Sequence, residues 1–191
     1  MVAGDGSGNE LWSELVRKRL LECGIFEVDE VESEGPDGSR GRFIVLDARD
    51  WAIVVPRLSV EGTPHFLMVR QYRHGSGEIR LEFPGGVVER GEDPAAAVAR
   101  ELEEETGFRA RSIRSAGWTF PNPAFLSNRL HVFVAEGLEQ SGTRALDEHE
   151  LVDALLVPAA QVRERMGREP YSHALMAAAL LMSDRIPRES S

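Results

Sequence analysis

A run of carboxylates at helical spacing constrains this chain more than any other feature. Residues 86–108 read GVVERGEDPAAAVARELEEETGF. Asp93 suits an N-cap, and Pro94 suits the first helical position, where a missing N–H is not needed. Ala95, Ala96 and Ala97 are strong helix formers. Gly107 fits the left-handed residue that ends a helix. The sequence therefore predicts a helix over about 94–106. Glu101 and Glu105 lie four apart and Glu101 and Glu104 three apart, so the three carboxylates share one side. Val98 and Leu102 lie on the other side and should anchor the helix to a core. Such a ladder of like charges weakens a helix unless cations neutralise it. A solvated acidic face is the ordinary reading of a generic EExxE stretch. The alternative is a cation site, and a set of oxygen ligands alone suits Mg²⁺ or Mn²⁺ rather than zinc.

The whole stretch, with both glycines, Glu92 and Arg100, resembles the Nudix box, GX5EX7REUXEEXGU, where U is apolar. Leu102 and Phe108 stand at the U positions. The resemblance implies hydrolysis of a nucleoside diphosphate linked to another moiety, with divalent ions between an anionic protein and an anionic substrate. Carried over by position, Glu101, Glu104 and Glu105 match the usual metal ligands. Gly85 matches a residue that offers a backbone carbonyl to metal. Glu105 also counts among the candidate catalytic groups. Arg100 and Glu92 match positions that pair and hold the helix to its loop. Mg²⁺ is the expected cofactor, with Mn²⁺ as a substitute.

Flanking residues resemble the ADP-ribose pyrophosphatase and nucleotide-sugar hydrolase group. They are VRQYR at 69–73, LEFPGG at 81–86 and a proline, Pro123, that stands 16 residues past Gly107. The resemblance implies substrate contacts at Arg73, with Arg70 as the weaker candidate, and at Glu82 and Pro123. Relatives often read P-G-F-S-D-E where this chain has Pro123-Ala124-Phe125-Leu126-Ser127-Asn128. That departure leaves ADP-ribose, GDP-mannose and other nucleotide sugars open. The segment ALDEHELVDALLVP resembles a loop that carries the catalytic base, which implies Glu150 as base and Glu148 as its neighbour. His149 and His173 read as surface or helix-packing histidines. Two alternatives stand beside this reading: a hydrolase of damaged nucleoside triphosphates, and an idle module that binds a nucleotide as a regulator.

The formal charge of −10, from 22 Lys+Arg against 32 Asp+Glu, makes non-specific nucleic-acid binding a poor prospect. A single cysteine, Cys23, forbids an intrachain disulfide. A reducing cytoplasm is the expectation. The first residues lack the basic and apolar regions of a secretory signal. No apolar run approaches the ~20 residues of a membrane span.

Along the chain, residues 1–9 read as a disordered tail. Residues 10–58 read as an N-terminal extension, with a short helix over 10–23 and then strands over 26–34, 42–46 and 51–58. Residues 59–186 read as the Nudix hydrolase domain, with strands at 65–72, 79–83, 112–119, 130–135 and 151–157 and helices at 158–166 and 172–183. This pattern is α/β with a mixed sheet. The resemblance sharpens it to an α/β/α sandwich with a strand-rich N-terminal extension. It also implies a homodimer that exchanges N-terminal strands, with Trp51 a candidate for stacking on a base, although a packed core tryptophan is the ordinary reading.

Overall fold

The computed structural model describes residues 11–141 and 153–188, and it turns the start of the chain into a sheet of its own. Strands β1 (Ser13–Glu22), β2 (Phe26–Glu34) and β3 (Arg40–Ala48) pair antiparallel in the order β1-β2-β3. They form one compact unit, up to Arg49, together with Phe120–Asn128. The latter segment joins it through a parallel bridge between Leu46 and Leu126. The helix expected over 10–23 is therefore corrected to a strand. The reason is visible in the register, which shifts between Glu14 and Val16 and again between Arg19 and Leu21. A bulge inserts one residue and breaks the two-residue alternation. Two bulges space the apolar pairs Leu15-Val16 and Leu20-Leu21 five apart, which mimics a helical stripe.

The second unit comprises residues 50–119 and 129–191. Its strands are β4 (Trp51–Val60), β5 (Thr63–Arg73), β6 (Glu78–Glu82), β7 (Gly85–Val87), β8 (Phe108–Thr119), β9 (Leu130–Gln140) and β10 (Asp153–Pro158). The sheet runs β10-β5-β4-β9-β8, with β6 added to β5 and β7 to β4. Only β4 and β9 pair in parallel among these strands, so the sheet is mixed.

Strand β4 shows why layers form on both faces. It begins as an unbroken apolar run, as strands covered on both sides do. Ala52 and Val54 face one layer, where they pack with Leu67 and Phe133 against Ala97, Val98 and Leu102 of α1 (Pro94–Thr106). Ile53 and Val55 face the other, where they pack with Phe66, Met68 and Val132. That layer is covered by Val162 of α2 (Ala159–Arg165) and by Met176, Ala179 and Leu180 of α3 (Ala174–Ser183). This is the α/β/α sandwich expected from the sequence. Trp51 is half-buried and packs on the second layer, as a core tryptophan would. Among the described residues, no helix is long and apolar enough to cross a membrane.

Candidate active site

Helix α1 has the bounds its sequence predicts. Asp93 caps it by accepting from the Ala95 N–H at 2.8 Å, and Pro94 follows. Gly107 closes it with φ 75°, its N–H donating to Glu103 O at 2.8 Å. Val98 and Leu102 are fully buried against the sheet. That burial fixes the rotation of the helix and corrects the expectation of two opposite sides: Glu105, three residues past Leu102, is buried on the core-facing side, while Glu101 and Glu104 lie towards its margin.

The short strand β7, which periodicity alone does not reveal, brings Gly85 and Gly86 against this helix. A Cβ on Gly85 would stand 2.3 Å from Ala52 O. A Cβ on Gly86 would stand 2.4 Å from Glu101 Oε1. Only hydrogen in place of a side chain lets the Glu101 carboxylate come this close to the loop. The Gly85 N–H donates to Glu105 Oε2 at 3.0 Å, and Glu105 is just 3% exposed.

Arg100 binds these parts together. Its Nε donates to Glu92 Oε1 at 3.1 Å, and its Nη1 donates to Glu101 Oε1 at 2.8 Å and to Glu104 Oε2 at 3.0 Å. Its Nη2 also reaches Val87 O at 3.3 Å. The Glu92 carboxyl sits below its usual range because Arg100, and then the Glu89 N–H, stabilise its charged form. The same carboxylates, Glu92 foremost, hold the Arg100 guanidinium firmly charged. One guanidinium thus serves three carboxylates, Glu92, Glu101 and Glu104, with Glu105 beside them, and negative charge is left in excess. By donor chemistry the set fits a hard divalent ion. Its side chains do not form a finished cage: among the described residues, no three acidic, histidine or cysteine side chains converge on one point.

The other sequence candidates fall in several places. Arg73, the last residue of β5, donates through Nε and Nη2 to Glu82 Oε2 at 3.1 and 2.6 Å. Glu82 is 1% exposed and has a second neighbour, His173, whose Nδ1 is 3.0 Å from Glu82 Oε1. Burial alone would push the Glu82 carboxyl up, but His173 and Arg73 outweigh it and hold the group at about 2. Nothing in the sequence singled out His173 for this role, since a histidine before a helix carries no pattern. Arg70 lies three residues from Arg73 in the same strand, hence on the opposite face, and pairs with Asp153. Pro123 is exposed on a turn of the first unit, where Asn122 Oδ1 accepts from the Ala124 N–H. Glu148 and Glu150 lie outside the described residues.

Known proteins agree with this architecture. A family model described as the NUDIX domain matches residues 48–177. An ADP-ribose pyrophosphatase of Bacillus subtilis is 36% identical over 144 residues, 75% of this chain and 76% of that protein. A methanol dehydrogenase activator of Bacillus methanolicus is 33% identical, covering 68% of each chain. A crystal structure of an ADP compounds hydrolase superposes with a TM-score of 0.80 at 24% identity, covering 95% of this chain and 96% of that one, which speaks for the fold. With the Gly86 loop, the Arg100 network and the glutamate face of α1 in their box positions, this chain belongs to the Nudix hydrolase family.

Proposed function

We propose that the chain hydrolyses the pyrophosphate bond of a nucleoside diphosphate joined to a second moiety, with ADP-ribose or a related nucleotide sugar as substrate. The observation that carries this is the locking of the Gly85–Gly86 loop onto Glu101 and Glu105, with Arg100 holding Glu101 and Glu104 in place. That assembly presents an excess of carboxylate charge where only bound cations could admit a diphosphate. The activities by which relatives are known, ADP-ribose pyrophosphatase in Bacillus subtilis and ADP-sugar pyrophosphatase in mouse, support the substrate class.

Nudix hydrolases generally need divalent metals. On this reading Mg²⁺, or Mn²⁺ in its place, is held by Glu101, Glu104 and Glu105 with the Gly85 carbonyl. When bound it neutralises pyrophosphate charge and polarises the phosphorus under attack by water. Arg73 meets a phosphate with a planar fork suited to paired oxygens. Arg70, Glu82 and Pro123 are the remaining substrate candidates. Glu150 or Glu148 takes the proton from the attacking water, with Glu105 as the third candidate. On this reading the extension expected over 10–58 ends at Arg49, because β4 belongs to the sheet of the second unit, and the catalytic domain takes in residues 50–58 with the expected 59–186. A homodimer in the cytoplasm completes the reading. Its N-terminal sheet leaves Leu15, Val16, Leu20, Leu21, Phe43 and Ile44 exposed, apolar area that a second copy would cover.

The test is a turnover screen with Mg²⁺ or Mn²⁺ over nucleoside diphosphate sugars, dinucleotides and triphosphates, with products identified. AMP and ribose 5-phosphate from ADP-ribose is the expected result. Turnover confined to triphosphates would overturn the substrate class, and no metal-dependent turnover at all would overturn the enzyme reading.

A further inference from the structure

Two adjacent strands and the start of a helix distant in sequence meet on one buried carboxylate. Glu82, the last residue of β6, is 1% exposed. Arg73 grips it from the end of β5, its Nε donating to Oε1 at 3.2 Å and Oε2 at 3.1 Å and its Nη2 to Oε2 at 2.6 Å. His173, the residue before α3, approaches from the helical layer with a buried Nδ1 3.0 Å from Oε1, a close contact without hydrogen-bond geometry. The turn ahead of His173 is itself fixed to β6, where Pro170 O accepts from the Leu81 N–H at 3.0 Å.

A buried carboxylate is costly unless charge and hydrogen bonds compensate it, and here the compensation comes from both sides. The consequence for Arg73 is directional. The edge of its guanidinium formed by Nε and Nη2 is clamped, while its side chain remains 43% exposed. A planar fork held by one edge loses less freedom when its other edge meets a phosphate. With a single partner, Glu82 could turn with Arg73. With His173 packed 3.0 Å from Oε1, that motion is opposed by a second element.

We propose that His173 is a positioning residue for the substrate diphosphate, acting through Glu82 on Arg73. This rests on the reading of Arg73 as a phosphate contact. It also gives Glu82, buried as it is, a role that needs no contact with substrate.

The experiment compares His173→Leu, His173→Asn and Arg73→Ala with the wild-type enzyme, by steady-state kinetics on ADP-ribose with Mg²⁺ and by NMR of the Arg73 Nε–H. In His173→Leu we expect KM to rise about five- to tenfold with kcat within about twofold. The Arg73 Nε–H signal should broaden by exchange with water. His173→Asn, which keeps an N–H donor near the Nδ1 position, should recover both. A folded His173→Leu enzyme with wild-type KM and an unchanged Arg73 signal would overturn the proposal. So would nitrogen shifts of the wild-type imidazole showing no proton on Nδ1, a measurement that stands even where His173→Leu does not fold. An Arg73→Ala enzyme with unchanged KM would instead remove the underlying reading of Arg73, because the NMR arm still reports on the clamp without substrate.

Discussion

Two clusters of carboxylates and arginines, one in each unit, solve opposite problems. In the N-terminal sheet the buried Asp29 meets two guanidinium groups, Arg17 at 3.1 Å and Arg19, whose Nη2 also reaches Glu27 at 2.6 Å. Arg19 and then Arg17 hold the Asp29 carboxyl below its usual range despite its burial. There two guanidinium groups meet on one buried anion, with the more exposed Glu14 and Glu27 as their outer partners. On α1 a single guanidinium is shared by Glu92, Glu101 and Glu104, and the buried Glu105 beside them accepts from the Gly85 N–H. An excess of buried like charge is poor engineering for stability. It makes sense in a site completed by something positive. Removing a carboxylate should therefore harm the fold in one cluster and the chemistry in the other.

The largest effect is expected from Glu105→Gln. The amide oxygen can still accept the Gly85 N–H, so the fold should survive, and circular dichroism should match wild type. Metal-dependent kcat on ADP-ribose should fall on the order of 10³-fold, the range seen when a key electrostatic group at a reacting phosphate is lost. The rise in Tm on adding Mg²⁺ should shrink as well. An enzyme with wild-type kcat would show that the excess charge is merely a solvated face.

Next comes Glu82, where the pH dependence has a definite sign. Its folded pKa, about 2, lies below the ordinary glutamate value of 4.5. The group therefore stabilises the fold above about pH 4.5, and that stability is lost as pH falls towards 2. The linkage amounts to roughly 3 kcal/mol at neutral pH. Glu82→Gln should lower stability by up to that amount in urea at pH 7 and flatten the acid limb between those values. An acid limb as steep as wild type would show that Glu82 is not held by Arg73 and His173 in solution.

The two clusters were not equally legible. The α1 region is local chemistry: Asp93, Pro94, the alanines and Gly107 specify both ends of the helix within fifteen residues, and the spacing of the glutamates follows from its period. The β4 run and α3 were legible for the same reason, as unbroken apolar stretches. β1 was misread because its two bulges are set by pairing with β2, and no residue of β1 signals a bulge by itself. Strand β7 is three residues long and owes its existence to Trp51, Ala52 and Ile53 across from it. The Glu82–His173 contact joins positions ninety-one apart and depends on how α3 packs, which is tertiary information.

Gly86→Ala tests how tightly the acidic cluster is built. The new methyl group would overlap the Glu101 carboxylate, and the neighbour must shift. Overpacking of this kind costs about 1–3 kcal/mol. Because the displaced group is a ligand candidate and the end of a flexible side chain, we expect kcat/KM to fall about tenfold while Tm changes little, since part of that energy is relieved by moving Glu101. Equal turnover with a large drop in Tm would show instead that the glycine serves packing alone.

The smallest catalytic effect belongs to Asp29→Asn. The substitution keeps the shape of the side chain and removes the charge that Arg17 and Arg19 share. Two guanidinium groups then face each other across a neutral amide, so Tm should fall. Because the Asp29 carboxyl is held below its usual range, its stabilisation is fully present above the ordinary carboxylate range and fades as pH drops below it. The wild type and the variant should therefore converge in stability as the solution is acidified. The Mg²⁺ titration of activity should be unchanged per folded molecule, in contrast to Glu105→Gln. A shifted Mg²⁺ midpoint in the Asp29→Asn enzyme would break the division between the two clusters, because it would mean that the charge of the N-terminal sheet is felt where the metal binds.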